Sequence, residues 1–351
     1  MSDYYFILQE MSALRSYIPI IQEYNKLGAR SSFIIFPKDK YNSPTKHKEY
    51  LRKICLDNKI ATIDFNYFRE NFKDKTIFSV EAKRVITYDK EPVLDAQENR
   101  IHSLPSQFDF LYCYPFQKKV KLKNIFQISR SICDYYRIQD ERFVFSGDPK
   151  YSINLNSDEI KKKYGIDAKS KIALLVKPVV PFGVPDQEIY NILDYLRSMN
   201  ICSIIKSRGK YSIEKSPKMG RKADYVFEDF SWHPHDMMEL IEISDLCINM
   251  DSTASLEMAV GRTPFINYRV ADIPHVKAFA KTVGLTERVC NFVYNYGFCK
   301  DNDHFVDSET FKKQVEYLLE ENHNLEFDRI KEEYLFDKSK TLSKIITTVG
   351  F

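Results

Sequence analysis

Strand-length apolar runs alternate with stretches of helical periodicity along most of this chain, and that alternation constrains its fold more than any other feature. Tyr4 to Leu8 is short and apolar. Leu14, Tyr17, Ile18, Ile21 and Tyr24 then recur at helical spacing, with Ser12 placed to cap the helix and Gly28 to stop it. Ser32 to Phe36 is apolar again, so the chain opens as strand, helix, strand, the start of a parallel α/β sheet. Tyr50 to Leu56 reads as helix, and Ile60 to Phe65, Thr76 to Val80, Arg84 to Thr87 and Phe108 to Cys113 as strands. Asp89 to Ser106 reads as loop and Ile128 to Ile138 as helix.

A strand ends in Ser146-Gly147-Asp148-Pro149, a strong turn signal, and a second, denser alternation follows. Its strands are expected at Lys171 to Val176, Ile201 to Ile205, Tyr225 to Phe227, Leu246 to Asn249 and Pro264 to Asn267. Helices are expected at Asp158 to Tyr164, Asp186 to Met199, Asp236 to Ile243 and Thr253 to Val260. The tail, Phe311 to Glu320 and Asp328 to Thr348, is helical and charged. The pattern predicts an α/β protein with a domain over 1–145, a second over 146–330 and a closing helical segment over 331–351. A length of 351 residues suits two domains.

Composition narrows the function classes. The net charge is +3, too small to indicate a nucleic-acid partner. The 7 cysteines include no CxxC pair, which suits reduced thiols in a cytoplasmic protein and not a disulfide frame or zinc site. Met1 to Lys26 has no signal-peptide pattern, and no apolar run approaches a membrane span.

The most informative stretch is Ile243 to Tyr268. A buried strand runs into Asp251-Ser252-Thr253, then a helix, then Gly261 and Pro264. That order puts a helix N-terminus at the carboxyl end of a parallel strand, where ligands of open α/β sheets bind. Backbone N–H groups there suit a phosphate, with Ser252, Thr253 and Ser255 hydroxyls adding bonds. Glu257, one turn on, can accept bonds from two ribose hydroxyls. Ser252 and Thr253 are equally ordinary helix caps. Lys206 and Arg208 follow the Ile201 to Ile205 run, where two cations suit a diphosphate. His233 and His235 flank Pro234 before a helix and could reach a base or donor group; without a carboxylate cluster they make a poor metal site.

Asp251, Ser252, Thr253, Glu257, Gly261 and Pro264 together resemble the donor-binding signature of GT-B glycosyltransferases. The segment is also similar to CDP-glycerol-type polyol-phosphate transferases and UDP-N-acetylglucosamine 2-epimerases. Val144 to Tyr151, Ile204 to Gly209 and Tyr334 to Ile346 agree in order, with Asp148 in place of asparagine and Ser207-Arg208 in place of a Pro-His pair. The resemblance implies two Rossmann-like domains about a central cleft, with C-terminal helices crossing back to the first. It assigns donor phosphate to Ser252 and Thr253 and donor ribose to Glu257.

The expected activity is therefore sugar transfer from a nucleotide-sugar donor to an acceptor hydroxyl on a glycan or lipid-linked precursor. No paired-aspartate motif is evident, so no metal or separate cofactor is expected. A lipid-linked acceptor would bring the chain to a membrane face, where Lys118, Lys119, Lys121 and Lys123 add about 1 kcal/mol each. Glu10, in the loop after the first strand, leads as catalytic base, with Asp89 and His102 behind it. Gln9 to Ser12 lacks the Gly-Arg-Pro-Glu signature of the 2-epimerases, which counts against epimerisation. The second reading is a nucleotide-sugar 2-epimerase or hydrolase, or a CDP-polyol phosphotransferase, and a nucleotide-binding module without catalysis is the third.

Overall fold

A computed structural model describes residues 2–36, 43–80, 87–88, 91–92, 99–105, 121–135, 137–176, 186–208, 222–229, 232–233, 235–250, 254–267, 309–320, 323–334 and 336–350. The chain divides into two compact units. The first comprises Met1–Ile153, Trp232–Pro234 and Glu332–Phe351, and the second Asn154–Ser231 and His235–Lys331.

The first unit opens with β1 (Asp3–Leu8), α1 (Leu14–Lys26), β2 (Arg30–Ile35), α2 (Lys48–Asn58), β3 (Ala61–Asp64), α3 (Phe65–Asn71) and β4 (Thr76–Val80). It continues with β5 (Thr87–Tyr88), β6 (Glu91–Pro92), β7 (Arg100–Leu104), β8 (Asn124–Gln127), α4 (Arg130–Tyr135) and β9 (Phe143–Phe145). Seven strands form one sheet in the order β3-β2-β1-β4-β7-β8-β9, every neighbouring pair parallel. β5 and β6 pair antiparallel apart from it.

β1 is buried along all but its first residue, as a central strand of a parallel sheet must be when both faces are covered. Leu14, Tyr17, Ile18, Ile21 and Tyr24 of α1 are fully buried, so the helical spacing in the sequence marks the face laid on the sheet. Tyr4 stacks on Tyr24 with ring centroids 3.8 Å apart, and Phe6 stacks on Phe78 at 5.0 Å. The Tyr17 hydroxyl donates to the Ile7 carbonyl and accepts from the Val80 N–H, both at 2.8 Å, fixing α1 to β1 and β4 at once. Gly28 takes φ +83° after α1, the left-handed turn expected of a glycine stop.

Several sequence expectations need correction here. Ser12 does not cap α1; it lies inside a short 3-10 turn, Met11–Ala13, closed by the main-chain bond from Ala13 N to Glu10 O at 3.1 Å. The strand expected to reach Phe65 ends at Asp64, whose carboxylate accepts from the Asn66 and Tyr67 N–H groups and starts α3. The loop expected over Asp89 to Ser106 contains β7, whose polar His102 and Ser103 are buried in the sheet. β8 was not expected. Residues 84–86 and 108–113 of two expected strands lie outside the described residues, as do Asp89, Lys118 and Lys119.

The second unit contains α5 (Ser157–Tyr164), β10 (Ile172–Val176), α6 (Asp186–Ser198), β11 (Cys202–Arg208), β12 (Tyr225–Asp229), α7 (Asp236–Glu242), β13 (Leu246–Asn249), α8 (Ser255–Gly261), β14 (Phe265–Asn267) and α9 (Glu309–Glu320). Its five described strands are all parallel, in the order β12-β11-β10-β13-β14. Ile192, Leu193 and Leu196 of α6, with Phe311, Val315 and Leu318 of α9, pack in one core with alternate residues of β10 and β13. α10 (Asn324–Tyr334) crosses the division, and α11 (Thr341–Val349) belongs to the first unit. Ile345 of α11 is buried in the core that holds Tyr4 and Tyr24, and the Tyr4 hydroxyl donates to the Gly350 carbonyl at 2.7 Å. Among the described residues no helix is long and apolar enough to cross a membrane.

At the end of the first unit, Asp148 is buried and caps the turn Pro149–Tyr151, accepting from Lys150 N and from the Ser16 hydroxyl, each at 3.0 Å. Gly147 before it takes φ +83° and lies against the Phe336 ring.

Candidate functional site

Strand order in the second sheet runs outward from β10, through β11 on one side and β13 on the other. Such a switch point opens a crevice at the carboxyl ends of the strands. Register places Lys206, Val176, Asn249 and Asn267 in one row across β11, β10, β13 and β14. Residues of one row share a face of the sheet. Lys206 and Asn249 are 4% and 1% exposed, so a cation and an amide are held inside the edge of the sheet.

Two adjacent residues tie this row to the helix after β13. His235 is extended at φ −82°, ψ 93°, and its carbonyl accepts from Met238 N and Glu239 N, which starts α7. Its ring Nε2 lies 3.2 Å from Glu257 Oε1 on α8. A carboxylate only accepts, so Nε2 carries the proton. The next residue, Asp236, sets Oδ2 3.4 Å from Lys206 Nζ. One dipeptide thus reaches α8 with its first side chain and β11 with its second. Burying these charges is tolerable because each faces an opposite charge or a hydrogen-bond partner.

Gly261 is what lets α8 lie close to α7. A Cβ on it would stand 2.5 Å from Ile241 Cγ2. The Thr263 hydroxyl donates to the Ile241 carbonyl at 3.0 Å and ties the end of α8 to the same helix. The Gly261 to Pro264 segment therefore has a structural cause: it sets the spacing that brings Glu257 to His235.

The structure brings together three residues read from the sequence, Lys206, His235 and Glu257, and adds Asp236 and Asn249. Arg208 is the last residue of β11, in register with Asp229. Ser255 opens α8. Asp251, Ser252 and Thr253 lie outside the described residues. His233 is a separate case. It belongs to the first unit, where its carbonyl accepts from the Tyr50 hydroxyl at 2.8 Å and its N–H donates to the same oxygen at 3.0 Å. Trp232 sets its ring edge-on to Tyr50 and His47 there. Asp236 was hidden because an aspartate at a helix start reads as an ordinary first-turn acid; its following His235 directly was the signal.

In the first unit, Glu10 follows β1, the strand at which that sheet reverses its order, and is half-buried at φ −137°, ψ 142°. Its side chain makes no cap bond to the turn it precedes. His102 needs correction. It sits mid-strand in β7, 2% exposed, between Phe78 and Phe126, with Nδ1 3.2 Å from the Asn124 side-chain nitrogen. Burial, aided by Arg100 and Lys123, lowers its pKa to about 4. A ring so placed packs the core of the sheet.

That depression makes a prediction. The unfolded chain binds a proton near pH 6.5 and the native His102 only near 4. The resulting penalty is absent above pH 6.5, grows as pH falls through that window, and levels off below 4, reaching about 3 kcal/mol. Denaturant melts between pH 7 and 4 should show a flatter loss of stability for His102→Phe than for the native chain. Parallel profiles would refute it.

Among the described residues, no group of three or more His, Cys, Asp or Glu side chains is placed to hold a metal ion. The described cysteines Cys55, Cys133, Cys202 and Cys247 are free thiols, with burial raising each pKa.

No family model matches the chain, and no curated protein matches it in sequence. Solved structures do match in fold. The UDP-GlcNAc 2-epimerase from Neisseria meningitidis, bound to UDP-GlcNAc, is similar with a TM-score of 0.58 at 12% identity, over 99% of each chain. UGT89C1 from Arabidopsis thaliana gives 0.58 at 10% identity, also over 99% of each. The wall teichoic acid polymerase TagF gives 0.57 at 11% identity, over 99% of this chain and 88% of that one. With its two parallel α/β units, the chain has the GT-B fold.

Proposed function

We propose that this protein is a glycosyltransferase that moves a sugar from a nucleotide-sugar donor to an acceptor hydroxyl in surface glycan biosynthesis. The observation that carries this reading is the buried pairing of Lys206 with Asp236 and of His235 with Glu257 at the carboxyl ends of β11 and β13. A nucleoside diphosphate suits each member. Glu257, accepting from His235 through one oxygen, has further acceptor capacity for ribose hydroxyls. The Lys206 ammonium offers charge to the diphosphate, and Asp236 holds it in place. Ser252 and Thr253 keep their proposed role at the phosphates.

In the reaction, the acceptor oxygen forms a bond to the anomeric carbon, and the bond from that carbon to the phosphate oxygen breaks. The nucleoside diphosphate leaves with the bonding electrons, stabilised by Lys206 and Arg208. The acceptor proton passes to a base, for which Glu10 is the candidate from its place after β1. A glycan or lipid-linked precursor is the proposed acceptor. The fold neighbours include transferases and an epimerase, and they support a nucleotide-linked substrate for this reading.

A thermal-shift screen against UDP, CDP, CMP, GDP and ADP tests it. A ligand at a hundred times its Kd stabilises the native state by about 2.7 kcal/mol. We expect one diphosphate to raise the melting temperature clearly. Lys206→Met should abolish most of that shift while reducing the shift from a monophosphate of the same base much less. No shift with any nucleotide would overturn the reading. Epimer or free sugar formed from the matching nucleotide sugar without acceptor would replace transfer by isomerisation or hydrolysis.

A further inference from the structure

Helix α2 segregates its charges by face. Lys48, Leu51, Arg52, Cys55, Leu56 and Lys59 recur at i, i+3, i+4, i+7, i+8 and i+11, with Lys59 as the left-handed cap residue. Its acids, Glu49 and Asp57, fall on the neighbouring stripe, where Lys53 pairs with Asp57 at 2.6 Å. The first stripe forms one wall of a cavity of about 710 Å³. The opposite wall is the outermost described strand of the sheet, β3, through Ala61 and Thr62, with Ile60 and Ile35 beside it. Leu56 at the rim is 69% exposed.

Two features define what fits. The walls are predominantly apolar, and the volume lies in the range of small-molecule sites, about 300–1,000 Å³. Among the described residues, three cations, Lys48, Arg52 and Lys59, line the cavity and no acid does. Long basic side chains lay their stems on apolar surface and keep the charge at the mouth, so apolar depth and cationic rim come from the same residues. The cavity runs along the sheet's flank, from Ile35 at the end of β2 and Pro44 and Thr45 after it to the start of β3. β3 has only four residues, a poor template for adding a strand from another chain.

We propose that this groove binds a single-chain anionic amphiphile, its alkyl chain between α2 and β3 and its phosphate or carboxylate head against Lys48, Arg52 and Lys59. The inference stands on the first unit alone and does not depend on the transferase reading.

Isothermal titration of the full chain with dodecyl phosphate below its micelle concentration tests it, with inorganic phosphate and dodecyl maltoside as controls. We expect saturable binding of dodecyl phosphate, at least about tenfold tighter than either control, since head and chain must both contribute. The triple variant Lys48→Glu, Arg52→Glu, Lys59→Glu should lose about tenfold or more, and Leu56→Glu should weaken binding while the melting temperature stays near native. All four positions are exposed, so the variants should fold. Equal binding of dodecyl maltoside would reduce the groove to plain apolar surface, and equal binding of inorganic phosphate would make it an anion site; either overturns the proposal. So would dimerisation abolished by Leu56→Glu without dodecyl phosphate binding, which would make a second copy the occupant. Loss of this binding with nucleotide shifts intact, or the reverse, separates this inference from the transferase one.

Discussion

Glu257→Gln is expected to weaken binding of the preferred nucleotide about 100-fold, with the melting temperature of the free protein within a few degrees of native. The amide keeps the shape of the side chain and an oxygen to accept from His235 Nε2, which lies 3.2 Å from the present carboxylate. What it loses is charge. Hydrogen bonds to an ionised group contribute about 1.5–3 kcal/mol each, and a ribose offers two hydroxyls, so a net loss near 3 kcal/mol follows. Titration calorimetry of both proteins with the nucleotide found in the screen gives the number. Unchanged affinity would remove Glu257 from the ribose and leave it as the partner that orients His235. Since α8 is positioned by the close approach at Gly261, a variant there should also lose nucleotide affinity, but through misplacement and with a fall in stability.

The second large effect is expected at Gly147. A Cβ on this residue would lie 2.6 Å from Phe336 Cε2 and closer still to Cδ2, and φ is +83°, where only glycine rests without strain. Gly147→Ala therefore meets two penalties, a left-handed conformation worth about 1–2 kcal/mol and a steric conflict of similar size. Neighbouring Asp148 is buried and bonded to Ser16 and Lys150, so the backbone has little freedom to swing away. We expect a loss of about 3 kcal/mol, or roughly 6–12 °C in melting temperature for a unit of this size. Phe336→Ala on the Gly147→Ala background should recover the steric part and not the conformational part. A double-mutant cycle with a coupling near zero would show that Phe336 simply moves aside.

Much of this fold was legible because its strands are buried on both faces. IALLV and LCIN read as strands from composition alone, and each is wholly buried. β7 was not legible for the opposite reason. Its polar atoms find partners within the sheet, His102 with Asn124 on β8, so a core strand carries the composition of a loop. The site divides along the same line. Lys206 and Glu257 stood out as charges at the end of a strand and in the first turn of a helix. The work of His235 and Asp236 depends on which elements flank α7 in space, on one side β11 and on the other α8. Local spacing does not encode that neighbourhood. His233, two residues from His235, was an equally good reading until the main chain at Trp232 and His233 proved to be bonded to Tyr50.

The first unit draws its core from segments far apart along the chain. During synthesis, β1 and α1 emerge more than 300 residues before the Ile345 side chain that seals them. Until then Tyr4, Leu14 and their neighbours must wait in a partly open nucleus, a candidate client for holding chaperones. A ribosome-bound chain halted at Ile153 should accordingly be far more sensitive to protease than the finished protein, and a peptide spanning Glu332–Phe351 added in trans should restore resistance.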